Sequence, residues 1–405
     1  MNTTSAPPFT AAYQRTVVDA LRAVLPERCV LFNEEDTRPY ECDGLAAYAQ
    51  LPMVVVLPDT EAQVIAALKV CNALKVPIVP RGAGTGLSGG ALPIADGIVL
   101  STARLNKIVK VDAYARTAVV QPGVRNLAIS EAVAPLGLYY APDPSSQIAC
   151  TIGGNVAENS GGVHCLKYGL TVHNVMRVRV VTIEGDVIEL GNAALDAPGL
   201  DLLSVFVGSE GMLGMVTEVT VKLIPKPKLA RVILASFDDV VKGGNAVASV
   251  IAAGIIPAGL EMMDKTSSRM VEPFVKAGYD IDAEAILLCE SDGIPEEVDE
   301  EIARMTEVLK HSGATAIAVS QNEAERLRFW SGRKNAFPAA GRISPDYYCI
   351  DGTIPRRSLA DVLLGIAQME VKYRLRCANV FHAGDGNLHP LILFDANQEG
   401  EFHRA

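Results

Sequence analysis

The sequence lacks the patterns that identify several large classes of protein. Its eight cysteines stand singly, with no C-x-x-C pair, so the chain supplies neither an iron–sulfur cluster nor a zinc ribbon. No uninterrupted apolar run approaches the roughly 20 residues that a membrane helix needs. The N-terminus has no basic start followed by an apolar block, so we predict no signal peptide. These absences favour a cytoplasmic protein with buried, reduced thiols.

Positive charge is also scarce. The net charge of −11 argues against nucleic acid as a partner, although local basic pockets for small anions remain compatible with it. Hydrophobic residues make up 49% of the 405 residues, which is enough for two or three domains with a large core.

Glycine, by contrast, is concentrated in loops. The segment RGAGTGLSGG (81–90) directly follows an apolar strand, VPIVP. Successive backbone N–H groups in such a loop are able to grip a phosphate. No GK[ST] ends the segment, and the residues after Gly84, Gly86 and Gly89 make a poor helix, so the usual dinucleotide-binding fold does not fit. A tight turn between two strands is the alternative interpretation.

Further loops weaken that alternative. GGNVAENSGG (153–162) and VGSEGMLG (207–214) are also rich in glycine, and PDPSS (142–146) adds a rigid turn with hydroxyl groups. Several such loops in one domain predict a long slot for an extended ligand that carries phosphates and a flat ring. A dinucleotide has this shape.

The pattern of the chain changes near residue 228. Before it we predict two hairpins, one turning at 113–116 and one at 184–186, and Pro-Lys-Pro near 227 is typical of a domain boundary. After it, strand-like runs alternate with helix-like runs, which indicates an antiparallel sheet covered by helices on one face.

Two histidines stand out in the second part. HAGDGNLH places His382 and His389 seven residues apart, around a turn between two predicted strands. Their imidazoles could approach one another and bind one ion. Two histidines alone are a weak metal signal, because a catalytic zinc usually has three protein ligands, so histidines that serve the turn and its packing are an equal alternative.

The glycine loops carry a resemblance. P-R-G-A-G-T-G-L-S-G-G, A-P-D-P-S-S, T-I-G-G-N-V-A-E-N-S-G-G and G-S-E-G-M-L-G-M-V-T, in this order and spacing, resemble the vanillyl-alcohol-oxidase/PCMH flavoprotein family. The resemblance covers essentially the whole chain and is strongest to the branch of D-2-hydroxy-acid dehydrogenases that includes glycolate-oxidising members. It implies an α+β fold. Residues 1–227 would form a PCMH-type FAD-binding domain of two α/β subdomains, and 228–405 a ferredoxin-like antiparallel-sheet substrate or cap domain.

The resemblance also implies which residues bind FAD. Where members with covalently attached flavin often carry a histidine, this chain has Thr85, so we expect the FAD to be non-covalent. The implied FAD contacts are Arg81, Gly82, Ala83, Gly84, Thr85, Gly86, Ser88, Gly89, Gly90, Pro142, Asp143, Pro144, Ser145, Gly153, Gly154, Asn159, Ser160, Gly161, Tyr168, Glu210, Gly211, Gly214 and Val216.

For the substrate, the resemblance implies three catalytic residues. Arg333 would bind the carboxylate, and His382 and His389 would bind a divalent metal (Zn, Mn or Fe) that holds the substrate. Cys349 stands where relatives that act on long diacids carry a lysine, which favours a small substrate. The family's G-E-H-G-[IV]-G motif, with a third metal ligand and a base, has no counterpart here. We expect that the C-terminal segment is missing; a variant that has lost both groups is the alternative.

The implied activity is the FAD-dependent oxidation of a small 2-hydroxy acid. Glycolate would give glyoxylate, and D-lactate would give pyruvate. The implied partners are a second flavin-loop subunit and an iron–sulfur subunit of a glycolate oxidase complex, which would bring the chain to the inner face of the cytoplasmic membrane. Three alternatives remain at this stage: a stand-alone D-lactate or D-2-hydroxy-acid dehydrogenase, a non-catalytic FAD-binding subunit, and a plain nucleotide-binding module.

Overall fold

The computed structural model describes residues 9–194 and 199–405, which divide into two compact units. The first unit contains residues up to Gly161 and the described residues from Gly169 to Lys226. The second contains Pro227–Ala405 and a short piece, Gly162–Tyr168, that interrupts the first unit in the sequence. We call this piece the anchor segment.

The first unit begins with a small, mainly parallel sheet. Its elements are α1 (Ala11–Arg22), β1 (Val30–Leu31), α2 (Glu34–Thr37), β2 (Val54–Val56), α3 (Glu61–Leu74), β3 (Ile78–Arg81) and β4 (Ile98–Ser101). The strand order is β1-β2-β4-β3, with β2 and β3 parallel to β4 and β1 antiparallel to β2. The glycine loop therefore starts at the carboxyl end of a parallel strand, where ligands of α/β sheets commonly bind.

An antiparallel sheet forms the rest of this unit. The elements up to Lys226 are β5 (Ile108–Asp112), β6 (Thr117–Val120), α4 (Asn126–Val133), β7 (Leu138–Tyr139), α5 (Ile152–Glu158), α6 (Cys165–Tyr168, in the anchor segment), α7 (Thr171–Asn174), β8 (Val175–Val181), β9 (Val187–Gly191), α8 (Leu202–Phe206), β10 (Met215–Lys222) and β11 (Ile224–Pro225). The strand order is β5-β6-β10-β8-β9, and β7 pairs with β11. The two predicted hairpins are confirmed as β5–β6 and β8–β9.

One predicted loop is partly a helix. GGNVAENSGG contributes to α5, although Gly153 and Gly154 in its first turn disfavour helix. A Cβ on Gly153 would lie 2.6 Å from the side chain of Pro122. Glycine is therefore needed for close packing at the start of this helix rather than for a flexible loop.

The second unit is built on one antiparallel sheet. Its further elements are β12 (Leu229–Phe237), α9 (Val240–Ala252), β13 (Gly259–Asp264), α10 (Lys265–Val275), β14 (Ala285–Gly293), α11 (Pro295–His311), β15 (Ala316–Val319), α12 (Glu323–Lys334), α13 (Ala336–Ala340), β16 (Asp346–Cys349), β17 (Gly352–Thr353), α14 (Leu359–Tyr373), β18 (Arg376–His382), β19 (Asn387–Phe394) and α15 (Glu401–Arg404). The strand order is β15-β12-β14-β13-β18-β19-β16, with β17 beside β19. Short 3₁₀ helices in the two units span Glu27–Cys29, Arg38–Tyr40, Ala134–Leu136 and Arg356–Ser358.

The α+β class and the antiparallel sheet are confirmed, but the prediction that helices cover one face is wrong. On one face Met262 packs with residues of α9, α11 and α14; on the other, Met263 packs with residues of α10, α12 and α13. Strands buried on both faces read as continuous apolar runs, and the first five residues of β14 (AILLC) form such a run.

The anchor segment is fixed to β14 by two buried carboxylates. His164 lies 3.1 Å from Glu290, and Lys167 and Tyr168 both donate hydrogen bonds to Asp292, at 2.8 and 2.7 Å. Glu290 and Asp292 share one face of the strand because side chains alternate along it. This segment is therefore an integral part of the second unit.

A half-buried N-cap, Asp264, makes the stability of this unit depend on pH. The carboxylate of Asp264 accepts hydrogen bonds from the backbone N–H of Ser267 (2.8 Å) and from the side chain of Asn379 (2.7 Å). Burial nevertheless raises the pKa of Asp264 to about 6. In the unfolded chain the pKa is about 3.9, so the folded state binds the proton more tightly, and the stabilisation is lost as the pH rises through about 6.

We therefore expect the stability of the wild type relative to Asp264→Asn to fall by about 2 kcal/mol between pH 4.5 and pH 7. Chemical unfolding followed by fluorescence measures this, because Trp330 is the single tryptophan and is buried in the same unit. A difference between the two proteins that is constant with pH, or that grows as the pH rises, contradicts the assignment.

Candidate functional site

The first unit contains a cavity of about 150 Å³ lined by glycine loops. Eight glycines contribute to the wall of this cavity: Gly82, Gly84, Gly86, Gly90, Gly153, Gly154, Gly211 and Gly214. We call it the glycine cavity.

Arg81, the last residue of β3, shapes the loop that follows it. Its Nη1 donates hydrogen bonds to the backbone carbonyls of Cys42 (2.8 Å) and Ala91 (3.3 Å). The arginine thus ties both ends of the glycine loop to the segment before β2. A Cβ on Gly84 would lie 2.2 Å from Nη2 of Arg81, and Gly84 has φ +70°, so glycine is required there on two grounds.

Gly86 differs from Gly84 in its surroundings. A Cβ at Gly86 would meet nothing within 4 Å, and the residue lines the cavity. The bare backbone at Gly86 is therefore not explained by packing within the protein. Space kept open for a ligand explains it.

Buried polar atoms in the cavity wall point to a polar ligand. The hydroxyl oxygens of Thr151 and Ser209 and the Oδ2 atom of Asp43 are buried and have no hydrogen-bond partner among the described residues. All three residues line the cavity. Buried polar groups without a partner are costly, so a ligand with both donors and acceptors would satisfy them. Phosphates and ribose hydroxyls have these properties, and the wall therefore fits a dinucleotide such as FAD.

The structure brings most of the predicted FAD contacts together. The predicted residues in the cavity wall are Arg81, Gly82, Ala83, Gly84, Thr85, Gly86, Gly90, Gly153, Gly154, Ser160, Glu210, Gly211, Gly214 and Val216. Other predicted residues, all within the described ranges, lie outside this wall: Ser88, Gly89, Pro142, Asp143, Pro144, Ser145, Asn159, Gly161 and Tyr168.

Some of these outlying residues have structural roles. The Asn159 side chain accepts a hydrogen bond from the backbone N–H of Val172 at 3.0 Å, after the end of α5. Tyr168 belongs to the second unit, where its hydroxyl donates to Asp292. In the PDPSS region the cavity wall contains Ser146 and, after it, Cys150 rather than Pro142–Ser145.

Sequence analysis missed several residues of the wall. Asp43 lies outside the quoted motifs, whereas Thr151, Asn155 and Ser209 lie inside them but were not predicted as FAD contacts. Thr151 and Ser209 each stand two residues before a predicted glycine contact. A hydroxyl residue shortly before a glycine contact could therefore have been used to predict these two wall residues.

The second unit contains a buried polar cluster around Glu261 on β13. We define the histidine cluster as Glu261, Arg333, His382, His389 and Asp351. Oε1 of Glu261 lies 2.8 Å from Nδ1 of His382, and its Oε2 accepts a hydrogen bond from Nε of Arg333 at 2.6 Å. Glu261 and Arg333 are only 1% and 2% exposed, so both lie in the interior of the unit.

The two histidines lie side by side at the end of one hairpin. His382 closes β18, and His389 lies on β19 opposite Val380. Their ring centroids are 5.0 Å apart, with the rings nearly perpendicular. Burial, followed by the charges of His382 and Arg333, lowers the pKa of His389 to about 2. The imidazole of His389 is therefore neutral at physiological pH and keeps a lone pair for a ligand.

Charge balance around Glu261 keeps it ionised. Burial alone would raise its pKa, but the interactions with His382 and Arg333, which include hydrogen bonds to both oxygens, outweigh burial, and the pKa is lowered. Asp351 lies at the edge of the cluster: its side chain is 68% exposed, and its carboxylate is 3.6 Å from Nδ1 of His389.

Helix α12 delivers Arg333 to this cluster. Arg326, Trp330 and Arg333 are spaced i, i+4 and i+7, so they form one stripe of the helix. Arg326 donates to Glu290 at 2.8 Å, and the indole N–H of Trp330 donates to the same carboxylate. Glu290 lies on β14 opposite Gly259 of β13, so two buried glutamates on adjacent strands receive this stripe.

Cys349 provides no positive charge near this cluster. It lies on β16, opposite Leu391 of β19. Burial raises the pKa of its thiol to about 12. The thiol is therefore neutral where the implied lysine of other relatives would be cationic.

Within residues 9–194 and 199–405, no group of three or more histidine, cysteine, aspartate or glutamate side chains is arranged to hold a metal ion. His382 and His389 alone are a pair. All eight cysteines lie in the described ranges as free thiols; six are buried, whereas Cys42 and Cys349 are half-buried. Across the same ranges, every helix is too short or too polar to cross a bilayer.

Comparisons with known proteins agree with the two-unit architecture. Residues 52–191 match the family described as FAD binding domain, and residues 226–405 match FAD linked oxidases, C-terminal domain. The chain is 63% identical over 390 residues to the glycolate oxidase subunit GlcD of Escherichia coli (strain K12), covering 96% of this chain and 78% of that protein. It is 32% identical over 400 residues to the D-lactate dehydrogenase of Anaerostipes hadrus, covering 96% and 83%.

Among solved structures, p-cresol methylhydroxylase with substrate bound has a TM-score of 0.81 at 20% identity, covering 98% of this chain and 85% of that chain. This likeness concerns the fold, and it confirms the predicted PCMH-type architecture. Together with the sequence matches, it shows that the chain belongs to the family of FAD-linked oxidases.

Proposed function

We propose that this protein oxidises a small 2-hydroxy acid, with glycolate as the preferred substrate and D-lactate as the second. The observation that carries the proposal is the buried Arg333 beside two imidazoles. Arginine matches a carboxylate with a planar set of donors, and a 2-hydroxy acid presents a carboxylate next to a hydroxyl. The high identity to a glycolate oxidase subunit supports the same substrate class.

We assign FAD to the first unit and the substrate to the second. The loop 82–90, the start of α5 and the segment 209–216 would hold FAD, with Thr151 and Ser209 as hydroxyl donors. When bound, FAD supplies the electron acceptor for the hydride that leaves the α-carbon. Thr85 stands where a histidyl bond to flavin would form in relatives, so the FAD of this proposal is non-covalent.

Within the second unit, each residue of the histidine cluster has a distinct task. The terminal nitrogens of Arg333 bind the substrate carboxylate, because its Nε is already bonded to Glu261. His389 is neutral and offers a lone pair, and His382 uses Nδ1 on Glu261, which leaves its Nε2 for a ligand. These donors and acceptors orient the carboxylate and the hydroxyl of the substrate.

The proposed substrate site also includes a divalent metal (Zn, Mn or Fe). His382 and His389 would be two of its ligands, and a metal bound beside the substrate hydroxyl would make that hydroxyl more acidic. A catalytic zinc usually has three protein ligands, so a third ligand would be supplied outside the pair.

We also propose that the protein works as one subunit of a glycolate oxidase complex. The E. coli relative is named as a subunit, and this chain lacks a C-x-x-C pair for an iron–sulfur cluster. A second flavin-loop subunit and an iron–sulfur subunit would then accept the electrons. Attachment to the inner face of the cytoplasmic membrane would occur through these partners.

The second candidate function is a stand-alone D-lactate dehydrogenase, which the similarity to the A. hadrus enzyme favours. Dye-linked assays with glycolate, D-lactate, L-lactate and D-2-hydroxyglutarate distinguish the candidates. Glycolate oxidation with the highest kcat/KM supports the first, and D-lactate the second. Flavin that stays oxidised with all four acids identifies a non-catalytic FAD-binding subunit.

Gly86→Val tests the glycine cavity. The new side chain has room in the free protein, because nothing lies within 4 Å of the added Cβ. We expect the thermal midpoint of the FAD-free protein to stay near that of the wild type, while the Kd for FAD rises at least tenfold. Gly365→Val is the matched control, since its Cβ also meets nothing within 4 Å but lies on α14. Equal FAD affinity in both variants would contradict this assignment.

Arg333→Lys tests the carboxylate site. Lysine keeps the charge but loses the planar pair of donors, so we expect the KM for glycolate to rise at least tenfold, or about 1.4 kcal/mol. Arg326→Lys is the control, because Arg326 lies on the same stripe of α12 but bonds to Glu290. Steady-state kinetics give both values. An unchanged KM in Arg333→Lys would remove this residue from the substrate site.

His389→Ala tests the metal. We expect the variant to keep its FAD absorbance but to lose the bound metal and most of its turnover. Elemental analysis and dye reduction measure these, and dialysis of the wild type against a chelator should cause a loss of turnover that added Zn²⁺ or Mn²⁺ restores. His311→Ala, on the exposed end of α11, is the control. Full metal content and turnover in His389→Ala would contradict the proposal.

A further inference from the structure

Glu261 is a buried carboxylate in the middle of an apolar strand, and no motif in the sequence marks it. It is 1% exposed, and its neighbours on β13, Leu260 and Met262, belong to the hydrophobic core on the opposite face of the sheet. A buried carboxylate is tolerated when its oxygens are paired. Both oxygens of Glu261 are paired, and both partners belong to the proposed substrate site.

We propose that Glu261 is a positioning residue that fixes the proton of His382 on Nδ1 and aims the terminal nitrogens of Arg333 at the substrate. The inference rests on the proposed function of the histidine cluster and adds a residue to it. Glu261 itself does not touch the substrate in this account; it acts through its two partners.

The first step concerns His382. An ionised carboxylate only accepts hydrogen bonds, and the contact between Oε1 and Nδ1 is 2.8 Å. Nδ1 must therefore carry a proton. In a neutral imidazole this leaves Nε2 unprotonated, with a lone pair for a metal ion or for the hydroxyl of the substrate. Carboxylates commonly orient ligand histidines in this way.

The second step concerns Arg333. Among the described residues, the hydrogen bond from its side chain is the one from Nε to Oε2 of Glu261, at 2.6 Å. A guanidinium has five N–H donors, so those of the two terminal nitrogens are left for a ligand. The bond at Nε also stops rotation of the group, which fixes the plane of these donors.

The third step is a comparison within the same sheet. Glu290 is as buried as Glu261, lies on the neighbouring strand and also receives the stripe of α12. Its partners are Arg326, Trp330 and His164 rather than residues of the histidine cluster. A buried glutamate that holds α12 and the anchor segment but contacts no residue of the histidine cluster is therefore available as a control.

The test is the tautomer of His382, measured by NMR with ¹⁵N-labelled histidine in the intact, chelator-treated protein. The chain has six histidines, and the signal of His382 is assigned by its loss in His382→Gln. In the wild type we expect a proton on Nδ1 and none on Nε2. A proton on Nε2 in the neutral state overturns the proposal, and this result needs no variant of Glu261.

Glu261→Gln then tests the cause. Nε of Arg333 can only donate, so it takes the amide oxygen of the glutamine and leaves the NH₂ group facing His382. Nδ1 must become an acceptor, and we expect the proton to move to Nε2. Glu290→Gln should leave the tautomer unchanged. An unchanged tautomer in Glu261→Gln, or the same change in Glu290→Gln, contradicts a positioning role.

Kinetics separate this inference from the proposed function. If the wild type reduces dye with glycolate, Glu261→Gln should lower kcat at least tenfold and by more than Glu290→Gln does, because Glu290 holds α12 but does not contact the histidine cluster. If the wild type oxidises none of the 2-hydroxy acids, the proposed function fails, whereas the tautomer measurement still decides the position of the proton. A Glu261→Gln variant with both the wild-type kcat and KM overturns the inference.

Discussion

The attachment of α12 to two buried glutamates is the interaction on which the candidate substrate site depends. Arg326 and Trp330 bond to Glu290, and Arg333 bonds to Glu261 on the neighbouring strand. Removing one partner of a buried ion pair costs several kcal/mol, so sliding the helix along the sheet would be strongly opposed. The register of α12 is thereby fixed, and with it the position of the guanidinium beside His382. Arg333 thus attaches α12 to the sheet and is also the residue proposed to bind the substrate.

The first unit forms its binding surface from backbone groups and hydroxyls rather than from buried ion pairs. Its loops carry few charges, and Arg81 is occupied with backbone carbonyls rather than held out toward the cavity. What remains for a ligand is the exposed backbone around Gly86 and hydroxyl groups such as that of Thr151. Backbone N–H groups and hydroxyls suit phosphates and ribose, and they require a fixed loop because each contributes a single directed hydrogen bond. Arg81 supplies that fixation.

The sequence predicted those parts of the candidate sites that contain a recognisable local motif. The glycine loops and the pair His382 and His389 were found because glycine density and histidine spacing are rare patterns. The contribution of Gly84 was interpreted incompletely, since its closest constraint is the side chain of Arg81. The helix α5 was not predicted, because Gly153 serves close packing against Pro122 rather than a loop. Local patterns do not distinguish a glycine that admits a ligand from one that admits another part of the protein.

Glu261 shows why the rest of the site could not be predicted. A single glutamate in GLEMMD has no periodic or spacing signal, and its partners are 72 and 121 residues away in the sequence. The helices on the second face of the sheet were not predicted for a related reason. The apolar residues of β14 are compatible with helices on one face of the sheet or on both. Long-range pairing decides both features, and a single sequence does not display it.

The most direct measurement is the visible absorption spectrum of the FAD-loaded protein during anaerobic addition of glycolate. The account predicts that the flavin bands bleach, and that D-lactate bleaches them more slowly. Flavin bands that persist with every 2-hydroxy acid, in a protein whose flavin is still bleached by dithionite, would contradict the assignment of this chain as the oxidising subunit.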